Sequence, residues 1–152
     1  MGFRAREVMR GFHEFAEGMG PPGRHPFTFR ASWGPERLRD WLDPRKATFL
    51  WQELTGEVDA GGLCERAPCR GTLHLRYVPD RAIRYVFEFD DAQGRALRYE
   101  GTKENLLPWN LLVTHTTCFG TVTEVATGRL VSRGVTHFRW RDLPGLLAVR
   151  AA

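Results

Sequence analysis

Most of the chain alternates between apolar and polar residues with a period of two, which is typical of β-strands. The alternation is clearest in AIRYVFEF, where one face carries Tyr85, Phe87 and Phe89. It recurs in KATFLWQELTGEV, GTLHLRYV, RALRYEGTK, NLLVTHTTCFGTVTEV and RLVSRGVTHFRW, and the short turns DAQG and ATG are suited to hairpins. The pattern predicts six or seven strands that form one antiparallel main sheet over residues 46–140.

Two helices and one further strand are predicted before this sheet. Residues 3–17 place apolar side chains at i, i+3, i+4 and i+7, which predicts an amphipathic N-terminal helix that GMGPPG ends. PFTFRASW alternates strictly and predicts a half-buried strand. SWGPERLRDWL has Pro35 in its first turn and is followed by Asp43 and Pro44, so it is expected to form a short helix.

An open antiparallel meander has two exposed edges, which closure into a barrel removes. Strands do not alternate with helices along the chain, as they would in a parallel sheet. The predicted fold class is therefore all-β, with one domain over residues 1–152. It is an antiparallel meander that closes into a lipocalin-like β-barrel, with the N-terminal amphipathic helix and one short helix added.

Composition and charge exclude several classes of protein. The chain of 152 residues is 42% hydrophobic and 26% charged, which is typical of a folded globular domain. No apolar run approaches the roughly 20 residues needed to span a bilayer, and the charged N-terminus does not resemble a secretory signal. The 22 basic residues behind the net charge of +4 are spread along the chain and interleaved with 18 acidic residues, which argues against nucleic-acid binding. We expect a cytoplasmic protein that binds neither membrane nor nucleic acid.

The cysteines and histidines do not have the spacing of a metal site. Cys64 and Cys69 form a single C-x4-C pair, and there is no second pair. The strand histidines lack H-x-H and H-E-x-x-H spacing. His115 and Cys118 are three residues apart and point to opposite faces of a regular strand, which disfavours a nucleophile pair. We expect no metal and no other cofactor.

Several spaced pieces of the chain resemble an accessory domain of bacterial cholesterol-oxidase-like (GMC) flavoproteins and of some fused α/β-hydrolase proteins. In order along the chain, they are MRGF, PFTF, LTGEV, GTLHL, RYVFEF, YEGTK, THTTCFGTVTE and SRGVTHFRWRDL. The resemblance implies an all-β accessory domain associated with oxidation of sterol-like or other hydrophobic molecules, with a flavin oxidoreductase as partner. It transfers no flavin site, because no G-x-G-x-x-G fingerprint follows a strand.

The stretch YEGTKENLLPWN carries the strongest candidates for chemistry. Gly101 interrupts a strand, which indicates a bulge or the close approach of another group. Lys103 is one of only two lysines and shares parity with Tyr99, toward the predicted interior. In one interpretation Lys103 is a solvated strand end with Glu100 or Glu104 as its partner. In the other, its ammonium lies at the mouth of a pocket and orients a carbonyl or an enolate.

A ligand cavity would take its polar contacts from inward-facing strand positions and from the loop at the open end. His115 and Thr117 share parity with Phe119, which we predict to face inward. Histidine titrates near neutral pH and a tyrosine can donate a proton, whereas a tryptophan can stack on an apolar ring. The predicted catalytic residues are Tyr99, Lys103 and His115, and the predicted ligand contacts are Trp109, Asn110, Thr117 and His137.

Five tryptophans and ten phenylalanines suit either a filled core or a cavity for one small ligand. The leading hypothesis is that the barrel binds a sterol-, terpenoid- or polyketide-like molecule. A cofactor-independent cyclase or isomerase is the enzyme class that fits this hypothesis. The alternative is a non-catalytic accessory or interaction module that partners a flavin-dependent oxidoreductase. A homodimer is compatible with both.

Overall fold

The computed structural model describes residues 4–35, 37–47, 49–76, 82–103 and 117–138. Eight antiparallel strands form a closed barrel in which each strand pairs with the next in sequence. The strands are β1 (Ala5–Phe15), β2 (Arg24–Trp33), β3 (Trp51–Ala60), β4 (Cys64–Arg76), β5 (Ala82–Asp90), β6 (Ala96–Lys103), β7 (Thr117–Glu124) and β8 (Leu130–Phe138). A single helical turn, α1 (Leu38–Trp41), lies between β2 and β3. The predicted all-β barrel and the short helix are confirmed.

The predicted helix at residues 3–17 is wrong, because Ala5–Phe15 within this segment form strand β1. Its inward positions include Glu7, Gly11 and His13, so the buried face is interrupted by polar residues and a glycine. The outward face carries Val8 and Phe12, which are apolar. Apolar residues on both faces produce an accidental helical spacing, and the sheet consequently begins well before residue 46.

Strand β1 also closes the barrel, since it pairs with both β2 and β8. The register with β8 runs from Met9 opposite Phe138 to Phe15 opposite Ser132. The register with β2 runs from Ala5 opposite Trp33 to Glu14 opposite Arg24. A closed barrel leaves no strand edge exposed to another chain.

Aromatic rings fill the middle of the interior. Tyr99 stacks on Phe87, with ring centroids 4.7 Å apart, and on Phe27, with centroids 5.4 Å apart. Phe29 contacts the rings of Tyr85, Phe87 and Tyr99. Burial of each such side chain contributes about 1.5–3 kcal/mol, so this cluster is a main source of stability.

Two glycines make room for the ring of Tyr99. Gly101 and Gly120 are opposite each other on β6 and β7, and both are buried. A Cβ atom at either position would lie 2.4 Å from an atom of the Tyr99 side chain. The predicted close approach at Gly101 is therefore found, while the β5–β6 register runs through Gly101 without a bulge.

The two ends of the barrel differ. At one end β2, β4 and β6 finish and β3, β5 and β7 begin; we call it the lysine end, after Lys103. Its inward side chains include Trp33, Gln52 and Lys103. Helix α1 is attached here, since the amide of Leu50 donates to the carbonyl of Trp41. Within the described ranges, no helix has the length and apolarity needed to cross a bilayer.

Candidate functional site

The lysine end of the interior contains a buried carboxylate bound by three other strands. Glu7 of β1 is 4% exposed and accepts hydrogen bonds from the hydroxyl of Tyr85 at 3.0 and 2.9 Å. The indole Nε1 of Trp33 donates to the same carboxylate at 3.3 Å. Lys103, which is 3% exposed, forms an ion pair with Glu7 Oε1. We call these four residues the Glu7 cluster.

The interactions of Lys103 explain how an ammonium group is accommodated inside an apolar barrel. Besides its ion pair, its Nζ atom lies 5.1 Å from the centre of the Tyr85 ring, which is cation–π geometry. An ammonium carries three donor protons, and the contact with Glu7 uses one of them. The remaining two protons are chemically suited to a carbonyl or hydroxyl oxygen.

Burial keeps Tyr85 protonated. Loss of solvent is the main cause that raises its pKa well above the usual tyrosine value, and the negative charge of Glu7 raises it further. A protonated Tyr85 can only donate to the carboxylate, as the geometry shows. The Tyr85 hydroxyl thus holds the Glu7 carboxylate in place and keeps its own proton near neutral pH.

A second polar contact lies beside the Glu7 cluster. The hydroxyl of Tyr99 is 3.2 Å from Sγ of Cys118, and Cys118 is opposite Lys103 in the β6–β7 register. Burial raises the pKa of both Tyr99 and Cys118, even though the positive charge of Lys103 acts to lower that of the thiol. Both groups are therefore protonated near neutral pH. A neutral thiol is a poor nucleophile, so this contact is a hydrogen bond rather than an activated pair.

The structure places the seven predicted site residues in three groups. Tyr99 and Lys103 are inside the barrel, as predicted. Thr117 and His137 lie opposite each other on the outer surface, where Thr117 Oγ1 is 3.1 Å from His137 Nδ1. Trp109, Asn110 and His115 lie outside the described residues, and their predicted roles stay predictions.

The predicted inward direction of Thr117 and Phe119 is wrong. The inward face of β7 carries Cys118, Gly120 and Val122, while Phe119 is 61% exposed. The physical reason is that the broad Tyr99 ring lies against Gly120, where a Cβ atom would be only 2.4 Å from it, so glycine must face inward at this position. In this orientation neither Thr117 nor His137 lines the barrel interior.

Glu7, Trp33 and Tyr85 are not among the predicted site residues. Glu7 falls within the segment predicted as an amphipathic helix, and Tyr85 falls on the apolar face of a predicted strand. Glu100, one of the two predicted partners of Lys103, instead pairs with Arg84 on the outer surface, where Glu100 Oε2 lies 3.7 Å from Arg84 Nη2. One signal was available: a lysine with inward parity needs a buried counter-charge, and Glu7 is a carboxylate with inward parity on a strand.

Gln52 is a further inward-facing polar residue at the lysine end. It is 4% exposed, and neither Nε2 nor Oε1 has a hydrogen-bond partner among the described residues. The next inward position along β3 is Leu54, which belongs to the apolar core. A buried amide without partners is uncommon in folded proteins, and its two donor protons and its acceptor oxygen are open to a bound water or ligand.

A groove of about 650 Å³ lies on the outer face of β1, β7 and β8. Phe12, 53% exposed, and Phe119 both line it, and Val135 is opposite each of them in the strand registers. Arg24 lies over the Phe12 ring at 6.0 Å. This groove is on the outside of the wall and is separate from the Glu7 cluster.

The described residues include no group of three or more His, Cys, Asp or Glu side chains placed to hold a metal ion. The three cysteines are buried free thiols. Burial raises the pKa of Cys64 to about 11 and that of Cys69 to about 12, so neither is a thiolate ligand as it stands.

The interior therefore combines an aromatic cluster, an ion pair and an unpartnered amide. Such a combination of apolar surface and a few polar groups is compatible with the binding of a small molecule. Comparison of the chain with protein-family models, curated proteins and solved structures found no match, so the fold and the Glu7 cluster are the observations on which a function must rest.

Proposed function

We propose that this protein binds a hydrophobic small molecule of sterol, terpenoid or polyketide type at the lysine end of its barrel. The molecule's rings would pack on the aromatic cluster, and an oxygen of the molecule would accept a hydrogen bond from Lys103. The single observation that carries this proposal is the Glu7–Lys103 ion pair, which is buried in a barrel interior made mostly of apolar side chains.

Stability alone is a weak reason for such a pair. Desolvation of two charges offsets most of their attraction, and well-packed apolar residues at the same positions are often as stabilising. A barrel that only needed a filled core would be served by leucine or methionine at these positions. A buried ammonium with donor protons beyond those used by Glu7 is useful when a ligand oxygen must be fixed.

The catalytic form of the proposal is a cofactor-independent cyclase or isomerase. Lys103 would stabilise negative charge that develops on a carbonyl oxygen, which is electrostatic catalysis by a preorganised donor. Tyr99 would stay protonated and act as a hydrogen-bond donor and not as a base, because burial raises its pKa. The group that exchanges protons near neutral pH would be His115, which remains a prediction.

The test is a fluorescence titration with a panel of sterols, terpenoids and aromatic polyketides, with Trp33 among the reporters. We expect saturable binding to the wild-type protein and at least tenfold weaker binding to the Lys103→Met variant. Lys46→Met is the matched control, because Lys46 is exposed and pairs with Asp40 on the surface. A flat titration of the wild-type protein, or equal affinities of the two variants, would contradict the proposal.

The exposed groove on the outer face favours a second candidate function. An accessory module of a flavin-dependent oxidoreductase needs an apolar contact surface, and Phe12 and Phe119 provide one. If this second function is correct, the purified chain should form a complex with a flavin oxidase whose gene is adjacent to its own. Analytical sedimentation measures this complex. Phe119→Ser should abolish this complex and leave ligand binding unchanged, and absence of a complex with the wild-type chain would reject this candidate.

A further inference from the structure

The unpartnered amide of Gln52 restricts the chemical class of the ligand more than the Glu7–Lys103 ion pair does. Gln52 is opposite Leu73, and Leu73 is opposite Tyr85, so the three residues form one row across β3, β4 and β5. Neighbouring strands are about 4.8 Å apart, which places Gln52 roughly 10 Å from the backbone of Tyr85. This separation is comparable to the length of one or two fused rings.

Among the described residues, the inward-facing charges at the lysine end are already matched. Glu7 and Lys103 neutralise each other, and Tyr85 and Trp33 supply the other donors to the carboxylate. An anionic ligand group would have to share Lys103 with Glu7, and a cationic group would have to share Glu7 with Lys103. An unpaired charge inside the barrel would lose its hydration without compensation. The arrangement therefore favours a ligand without charge.

Besides the donor protons of Lys103 that Glu7 does not use, the lysine end offers the hydrogen-bonding atoms of the Gln52 side chain. Its Nε2 offers two donor protons and its Oε1 accepts, and none of these has a partner in the described part of the chain. A carbonyl oxygen would accept from Nε2, and a hydroxyl group could satisfy either atom. A purely apolar molecule would leave the amide buried and unsatisfied.

We infer that Gln52 is a specificity-determining residue that selects uncharged ring compounds bearing a carbonyl or hydroxyl group over the corresponding carboxylates and over plain hydrocarbons. This inference rests on the proposed function, because it assumes that a hydrophobic molecule enters the lysine end. It names the substrate class within that function: neutral oxygenated rings such as cyclic ketones and alcohols.

Three probes with the same ring system separate the contributions of shape, hydrogen bonding and charge. They are naphthalene, 2-acetylnaphthalene and 2-naphthoate, each measured by equilibrium dialysis against the wild-type protein. We expect 2-acetylnaphthalene to bind more tightly than naphthalene, and 2-naphthoate to bind most weakly. Gln52→Leu should reduce the affinity for 2-acetylnaphthalene about fivefold, the effect of one net hydrogen bond, and leave that for naphthalene unchanged.

Gln93→Leu is the control. Gln93 is exposed in the β5–β6 turn, so this substitution should leave all three affinities unchanged. Gln52→Met keeps the shape of the side chain and replaces Gln52→Leu if the latter fails to fold. If the neutral probes bind but Gln52→Leu does not change the preference for the ketone, the role of Gln52 is wrong and hydrophobic binding stands. The same holds if 2-naphthoate binds as tightly as the ketone. If no probe binds the wild-type protein, both the proposed function and this inference are wrong.

Discussion

Lys103, at the end of β6, forms a buried ion pair with Glu7, which lies 96 residues earlier in the chain on β1. The two strands are not neighbours in the barrel, so the contact crosses its interior. The pair is therefore both a long-range restraint on the fold and the most polar feature of an apolar core. It supplies a direct test of how the interior is held together.

Loss of Lys103 should destabilise the protein strongly. Lys103→Met leaves the Glu7 carboxylate buried without its counter-charge, so we expect the free energy of unfolding to fall by about 3–5 kcal/mol. The double variant Glu7→Gln/Lys103→Met should recover most of this loss, because no charge is then left unpaired and the amide oxygen of the new Gln side chain can still accept from Tyr85. Urea denaturation measures the unfolding free energy of the single and the double variant. Lys46→Met is the control, and we expect its change to be near zero. A double variant as unstable as the single one would contradict the ion-pair explanation. Because the binding test uses the same variant, it is performed well below the melting temperature.

Gly120 should tolerate no side chain while Tyr99 is present. The Cβ of Gly120→Ala would approach the Tyr99 ring to 2.4 Å, and overpacking of this kind costs about 1–3 kcal/mol of stability. In a Tyr99→Leu background the same change should cost much less, because the shorter side chain leaves space over the glycine. Equal costs in the two backgrounds, measured as changes in unfolding free energy, would show that the ring does not determine the need for glycine.

The β-barrel could be predicted from the sequence because its central strands alternate cleanly, as in β5, where Tyr85, Phe87 and Phe89 share one face. β1 could not, because its buried face holds Glu7 and His13, and this polarity hides the period of two. The inward direction of Lys103 followed from parity with Tyr99. Its partner did not, since contacts across a barrel depend on closure and not on spacing along the chain.

At the site, the sequence pattern also predicted the wrong face of β7 to point into the barrel. Cys118, Gly120 and Val122 face inward, although Phe119 is more apolar than two of them. Ordinary burial rules favour phenylalanine inside. The opposite result depends on the width of the Tyr99 ring, which lies on a neighbouring strand, so no local pattern in β7 contains this information.

The three thiols should be unreactive in the folded protein. Burial raises the pKa of Cys64 to about 11 and that of Cys69 to about 12, and it raises that of Cys118 as well. The thiolate is the reactive form, and at pH 8 very little of it is present. We expect a thiol-specific aromatic disulfide reagent to label none of the three until urea is added. Rapid labelling of any cysteine under native conditions would show that the interior opens readily.

His13 should make the protein less stable in mild acid. Burial lowers the pKa of His13 below its usual value of 6.5, and a hydrogen bond with the carbonyl of Gly61 only partly opposes this. The unfolded chain then binds a proton that the folded chain resists, so the free energy of unfolding falls as the pH decreases below about 6.5. The decrease levels off once the pH is below the lowered pKa of His13 in the folded protein. Denaturation at pH 7.5 and 5.5 should show a smaller decrease for His13→Gln than for wild type. His137→Gln, a change on the outer surface where His137 contacts Thr117, should behave like wild type, and a wild-type decrease in His13→Gln would contradict the assignment.

The most direct test of ligand binding at the Glu7 cluster uses the fact that the chain has only two lysines. Lysine labelled with ¹⁵N at Nζ should give two ammonium signals, that of buried Lys103 and that of exposed Lys46. On titration with 2-acetylnaphthalene, the Lys103 signal should shift in a saturable manner while the Lys46 signal stays in place. Saturable binding by dialysis without any change in the Lys103 signal would contradict a ligand site at the Glu7 cluster.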